Sequence, residues 1–284
     1  MDHSTNEKMP IYKIARPILG AIYKLWYHPR VIGKENIPKE GSILLVGNHI
    51  HIMDQCNVII ATKRNIHYMA KKEYFDPKYK EGKFPWFFRG AGCIPVDRST
   101  KDTEATGAAL EVLKQNHALG LFPEGTRNGL KEERIKELYE EYANKETTDY
   151  ETFYKKIKKN KTSQVAYLEE LKDKDFITKE EFLDNLYDVD SFLQILINDH
   201  RITFEEYIDH ILLPFKFGAV SMANKTDAYL VPYAITGDYK FRSKNLTINI
   251  GKPFKASDDL EKANDKLKKE IQKLIKENLK NSGK

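Results

Sequence analysis

The sequence predicts an α/β fold: a central, mostly parallel sheet flanked by helices, with an all-helical insert. Three observations carry this. The short apolar runs SILLVGNH, NVIIAT, IHYMA, GCIPV and LGLF follow one another between residues 42 and 122, separated by helical or loop stretches. From about Lys131 to Ile211 no strand-like run occurs, and Glu, Lys, Tyr and Leu recur at helical spacing. Strand character then returns in AYLVPYAITG and NLTINIGKPF.

Taken in order, the first element is an amphipathic stretch over residues 10–28. Ile11, Ile14, Ile18, Ile22, Leu25 and Trp26 recur at helical spacing with Lys13, Arg16 and Lys24 interleaved, a pattern suited to a core helix or to one lying in a membrane interface. Pro17 and Gly20 predict a kink or a break. The apolar runs through LGLF are read as strands, with AALEVLK a helix between the last two. In the insert, ITKEEFLDNL and ITFEEYIDHI resemble each other. Each opens with a capping box, Thr178 with Glu181 and Thr203 with Glu206. Their loops lack the spaced acidic ligands and central glycine of a calcium site. A final amphipathic helix, from Asp258 to Lys280, carries Leu260, Ala263, Leu267, Ile271 and Leu274 on one face. The expected divisions are residues 1–30, an α/β domain over 31–130 and 212–284, and the insert over 131–211.

With 284 residues, 40% hydrophobic and 31% charged, the chain is globular in composition and long enough for a sizeable core. No run of about 18 apolar residues occurs, so no membrane-spanning helix is expected. The polar start MDHSTNEKMP lacks the apolar centre of a signal peptide. Cys56 and Cys93 form no framework and no metal spacing, which suits a reduced, cytosolic setting. The net charge of +5 divides unevenly: Lys131–Ile211 carries −8 and the remainder +13. A basic body of that size suits a polyanion, whether nucleic acid, an anionic membrane or a phosphorylated substrate.

Four blocks carry chemistry. GNHIHIMD leaves a strand's carboxyl end, where α/β sites lie, with His49 and Asp54 five positions apart. If the chain turns into a helix there, Asp54 can hold one ring nitrogen and leave the other to take a proton from a hydroxyl. Such spacing also arises by chance, as a surface histidine near an aspartate. His51 offers a rival His-x-His metal pair but lacks a third ligand at usable spacing. FPEGTR also leaves a strand end: Gly125 allows a tight turn, Arg127 offers a planar fork for phosphate, and Glu124 is an acceptor. In RGAGCIPVDR, Arg98 lies at a strand's far end and could point into the same pocket. Val231 and Pro232 shape an apolar wall leading to Ile235-Thr236-Gly237.

Together GNHIHIMD, GCIPVDR, FPEGTR and LVPYAITG, with LLPFKFGAVSMA after the third, resemble in order and spacing the blocks of the glycerolipid acyltransferases, in particular the 1-acyl-glycerol-3-phosphate (lysophosphatidate) acyltransferases. The resemblance covers roughly residues 10–130 and 212–255. It implies that His49 is the base for the acceptor hydroxyl and that Asp54 orients it. It further implies that Glu124, Gly125, Thr126 and Arg127 shape the glycerol-phosphate site, with Arg127 on the phosphate and Arg98 adding to it, and that Val231 and Pro232 belong to the acyl side. No cofactor, metal or covalent enzyme intermediate is implied, so Cys56 and Cys93 are packing residues.

The implied partners are acyl-CoA or acyl-carrier protein as donor, lysophosphatidate as acceptor, and a membrane surface. The implied setting is peripheral, at the cytoplasmic face, without nucleic acid. An acidic carrier protein would be drawn to the basic body. The chain departs from the family pattern in placing the insert between FPEGTR and Pro214-Phe215-Lys216, where only a dozen or so residues are usual. Glycerol-3-phosphate or another lysolipid as acceptor, or a non-catalytic relative that binds lipid or a partner through the insert, are the alternatives.

Overall fold

A computed structural model describes residues 9–79, 82–100, 102–143 and 148–282. The chain divides into two compact units, one running to Gly125 and resuming at Phe215, the other Thr126–Pro214.

The first unit is built on an eight-stranded sheet. Its strands are β1 (Arg30–Ile32), β2 (Ile43–Gly47), β3 (Ile66–Lys71), β4 (Ile94–Val96), β5 (Ala118–Leu121), β6 (Tyr229–Thr236), β7 (Thr247–Ile250) and β8 (Phe254–Lys255). They lie in the order β1-β7-β6-β2-β5-β3-β4, with β8 also on β6. Pairing is parallel except where β6 meets β7 and β8, so the predicted mostly parallel sheet is present. Every residue of β2 is buried, as befits a strand between parallel neighbours with both faces covered. A Cβ on Gly47 would lie 2.2 Å from the Tyr233 ring, so glycine lets that ring cross the end of β2.

Helices flank this sheet: α1 (Pro10–Tyr27), α2 (Asp54–Ala61), α3 (Pro85–Gly90) and α4 (Thr103–Lys114), and later in the chain the helices Gly218–Thr226 and Leu260–Ser282. Tyr23 of α1 and Val58 of α2 join a core cluster with Ile43, Leu45, Val231 and Tyr233. Leu113, Val220 and Ile271, from α4 and the two later helices, are fully buried outside that cluster. Each such side chain contributes about 1.5–3 kcal/mol. Asp102 caps α4 by accepting from the Ala105 N–H.

Two expectations are corrected. NVIIAT is not a strand: Asn57 to Ala61 form the body of α2, and the chain is already extended at Thr62. The four apolar residues Val58 to Ala61 fit a buried helix as well as a strand, and Asp54 in the first turn favours the helix. Of the kink or break expected in α1, the break is absent: the helix runs from Pro10 to Tyr27 through Pro17 and Gly20, and Gly20 lies against Ile60 of α2.

The second unit is helical: α5 (Glu132–Ala143), α6 (Tyr150–Ile157), α7 (Thr162–Asp173), α8 (Lys179–Asp184), α9 (Val189–Asn198) and α10 (Phe204–Asp209). Both expected capping boxes form, on α8 and α10. The similarity of the two segments extends to the preceding turns. Asp175 and His200 both adopt the left-handed conformation. The Leu171 carbonyl accepts from Phe176 and Ile177, and the Leu196 carbonyl from Arg201 and Ile202. The unit thus contains the same helix–turn–helix twice. The helices Gly218–Thr226 and Leu260–Ser282 are α11 and α12.

Candidate active site

The neighbours β2 and β5 are parallel, with Val46 opposite Leu121. Three residues beyond each lie His49 and Glu124, so the register sets the two turns side by side. The His49 N–H donates to Glu124 Oε1 at 2.8 Å, and Glu124 is buried. On the other side of β2, Asn48 closes a double hydrogen bond with the backbone of Ile235 in β6, at 2.9 and 2.7 Å. The loop carrying His49 is therefore fastened to both neighbouring strands.

Asp54 opens α2 and turns back on that loop. It has no exposed surface. Its Oδ2 accepts from His49 Nδ1 at 2.7 Å and from the N–H groups of Ile50 and His51 at 2.6 and 2.8 Å. Its Oδ1 accepts from the Tyr239 hydroxyl at 2.5 Å. With a carboxylate accepting at Nδ1, that nitrogen carries the proton and Nε2 presents its lone pair. The Phe122 ring stacks on the imidazole, 4.0 Å between centroids and 11° between planes. Both the plane and the rotation of His49 are thus held.

Gly125 completes the turn at φ +70°, a conformation that favours glycine. A Cβ there would lie 2.9 Å from Lys216 Nζ, so an exposed ammonium rests on the Phe122–Gly125 turn. The Lys216 N–H donates to the Pro123 carbonyl at 2.9 Å.

The other expected residues are spread more widely. Arg98 is exposed just beyond β4, two strands from β5. Near it Lys72 Nζ donates to Asp97 Oδ2 at 2.5 Å. Val231 and Pro232 lie within β6, opposite Leu45 and Val46, and are buried in the sheet. Thr126 and Arg127 open the second unit. Both thiols are held protonated: burial, with the charge of Asp54, pushes Cys56 up to about 11, and burial pushes Cys93 up to about 12. Among the described residues no group of three or more His, Cys, Asp or Glu could hold a metal ion.

Sequence reasoning missed Tyr239, Asn57, Asn48, Phe122 and Lys216. One signal could have found Asn57: once α2 is read from Asp54, Asn57 is three residues on and shares its helix face.

Fold and site define an α/β protein whose sheet edge presents a histidine–aspartate pair arranged to take up a proton. A family model described as Acyltransferase matches residues 28–236, and the chain belongs to that family. Among curated proteins it is similar to the 1-acyl-sn-glycerol-3-phosphate acyltransferase of Bacillus subtilis, 30% identical over 118 residues, covering 41% of this chain and 57% of that protein. The proteins of the same name from Borreliella burgdorferi and Streptococcus pneumoniae are 31% and 32% identical over 103 and 97 residues, covering 34% and 33% of this chain and 38% and 35% of their own. The matches therefore span between about a third and three-fifths of these relatives. Among solved structures, the LPA acyltransferase PlsC of Thermotoga maritima shares the fold, with a TM-score of 0.50, 16% identity, and coverage of 93% of this chain and 81% of that one.

Proposed function

We propose that this chain transfers an acyl group from a thioester, acyl-CoA or acyl-carrier protein, to the sn-2 hydroxyl of 1-acyl-glycerol-3-phosphate, giving phosphatidic acid. The observation that carries this is the His49–Asp54 pair, with Nδ1 held by a buried carboxylate and Nε2 free to act as base. His49 Nε2 takes the hydroxyl proton as the oxygen attacks the thioester carbonyl. The tetrahedral oxyanion collapses, the carbon–sulfur bond breaks, and the imidazolium returns its proton to the departing thiolate. Asp54 holds the tautomer and stabilises the imidazolium. Glu124 fixes the backbone of His49. Arg98, Gly125, Thr126, Arg127 and Lys216 are assigned to the glycerol phosphate, and Val231 and Pro232 to the acyl side.

The working place we assign is the cytoplasmic face of a membrane, bound peripherally. Among the described residues no helix is long and apolar enough to cross one. The helix α1 exposes Ile14, Ile18, Ile22, Leu25 and Trp26. Trp26 meets exposed Phe241 edge-on at 4.7 Å, and α3, which packs on α1, exposes Trp86 beside Phe84. Apolar groups with Lys13, Lys24 and Arg242 nearby in sequence suit an anionic bilayer surface.

The test is turnover by purified protein in lipid micelles with lysophosphatidate and either thioester. Phosphatidate should form with wild type and fall at least about 10²-fold in folded His49→Ala. A silent wild type with both donors moves the search to glycerol-3-phosphate and other lysolipids, and silence there ends the acyl-transfer reading.

A further inference from the structure

Beyond the pair itself, a line of buried and half-buried hydrogen bonds reaches Asp54 from the side away from His49. The Tyr23 hydroxyl of α1 donates to Asn57 Oδ1 at 2.7 Å. Asn57 Nδ2 donates to the Tyr239 oxygen at 2.5 Å, and the Tyr239 hydroxyl donates to Asp54 Oδ1 at 2.5 Å. Every donor points the same way, so the bonds polarise one another. They join α1, α2 and the loop after β6, segments far apart in sequence. Tyr239 is itself clamped, stacked on His51 at 4.1 Å and edge-on to Tyr27 at 5.6 Å. The loop is tied to the end of α1 by the Arg242 N–H, which donates to the Trp26 carbonyl at 2.8 Å.

We propose that Tyr239, Asn57 and Tyr23 are positioning residues for the reaction. Their hydroxyl–amide–hydroxyl chain holds Asp54 through its second oxygen and so sets how firmly and at what pH His49 takes a proton. The physical reason is charge sharing. A proton donated to Oδ1 draws negative charge away from Oδ2. Without it, the carboxylate facing His49 is more basic and stabilises the imidazolium more strongly, so His49 stays protonated to higher pH. Tyr239 acts directly on the carboxylate, while Tyr23 acts through Asn57 and Tyr239 and has the smaller effect. Both hydroxyls keep their protons, because burial, and then neighbouring groups that include Asp54, push them far above the usual phenol range.

Among the described residues, the other titratable groups facing the pair include Glu124 from the turn after β5, His51 in the same loop, Cys56 on α2 and Tyr233 on β6. The measurement must therefore resolve His49 by itself.

The experiment is site-resolved NMR titration of the His49 ring in wild type, Tyr239→Phe, Tyr23→Phe and Tyr12→Phe, with pH profiles of kcat/KM alongside. Tyr12 is the control: it too is a buried tyrosine of α1, but its hydroxyl meets the Arg64 carbonyl at 3.5 Å, outside the chain. Tyr239→Phe should raise the His49 pKa by about half a unit, equal to about a threefold loss of kcat/KM on the acid side, with the plateau and KM little changed. Tyr23→Phe should move it the same way by less, and Tyr12→Phe should leave it in place. A His49 pKa that is unchanged or lowered in Tyr239→Phe overturns the proposal, as does an equal shift in Tyr12→Phe. If Tyr239→Phe does not fold, Tyr23→Phe decides by the same reading against Tyr12→Phe. The rate consequence rests on His49 being the base. The NMR reading does not, so a protein that turns over no acyl thioester would end the acyl-transfer reading and still test the chain.

Discussion

In the α/β unit the buried Tyr23 and Asn57 and the half-buried Tyr239 lead to one carboxylate, and that carboxylate holds a ring nitrogen of His49. In the helical unit the same kinds of side chain lead elsewhere. Asn128 donates to Ser163 Oγ and the Ile211 carbonyl, and Asn160 donates to the Leu186 carbonyl at 2.6 Å. Gln164 and Tyr207 converge on Asp190. Burial and hydrogen bonding are alike in the two. The difference lies in the end of each network: backbone carbonyls and the Asp190 carboxylate in one, the His49 ring in the other. A polar network points to chemistry when it ends on an imidazole at the carboxyl ends of parallel strands.

The sharpest way to break this contrast is His49→Ala. Turnover should fall at least about 10²-fold with the far-ultraviolet circular dichroism unchanged. A smaller loss would make the pair structural, like the networks of the helical unit. Next, Gly47→Ala drives a methyl into the Tyr233 ring. It should cost about 1–3 kcal/mol in urea unfolding, with hydrogen-exchange protection lost in β2 and β6 and retained in α7 and α9. Asn160→Ala leaves the Leu186 carbonyl without its donor and should cost about 1–3 kcal/mol, seen as faster exchange in the helical unit, while kcat/KM stays at the wild-type value. A matching fall in kcat/KM would mean that the helical unit takes part in turnover. Smallest, Thr178→Ala and Thr203→Ala each remove one half of a capping box and should each cost about 1 kcal/mol, by equal amounts if the two helix–turn–helix segments are equivalent.

How far the sequence could be read follows from distance along the chain. His49 and Asp54 share one loop and the helix after it, so their spacing allowed the contact, and the resemblance of the four blocks singled it out from a chance pairing. The capping boxes were legible for the same reason. Glu124 was legible as a residue at a strand end, but its bond to the His49 backbone depends on Val46 facing Leu121, a register no single segment encodes. Tyr239 had no signal, because it sits in the loop GDYKFRSKN and reaches Asp54 only through the β6–β7 pairing and the end of α1. NVIIAT misleads because its four apolar residues fit either element, and the kink or break that Pro17 and Gly20 suggest takes no account of α2, which packs against α1.

The position of the helical unit also sets a timetable. Strands β2, β3, β4 and β5 are complete before Thr126, whereas β6, which covers the other edge of β2, lies beyond Pro214. Synthesis passes through about 90 residues in between, which at about 5–20 residues per second takes several seconds. For that interval β2, wholly apolar but for Gly47, presents an unpaired edge to the cell. The intervening helices need only local contacts to form and can do so while the sheet waits. The nascent half-sheet is therefore the stage at which this edge is open to wrong pairing, and slow codons placed in the insert would lengthen the exposure rather than relieve it.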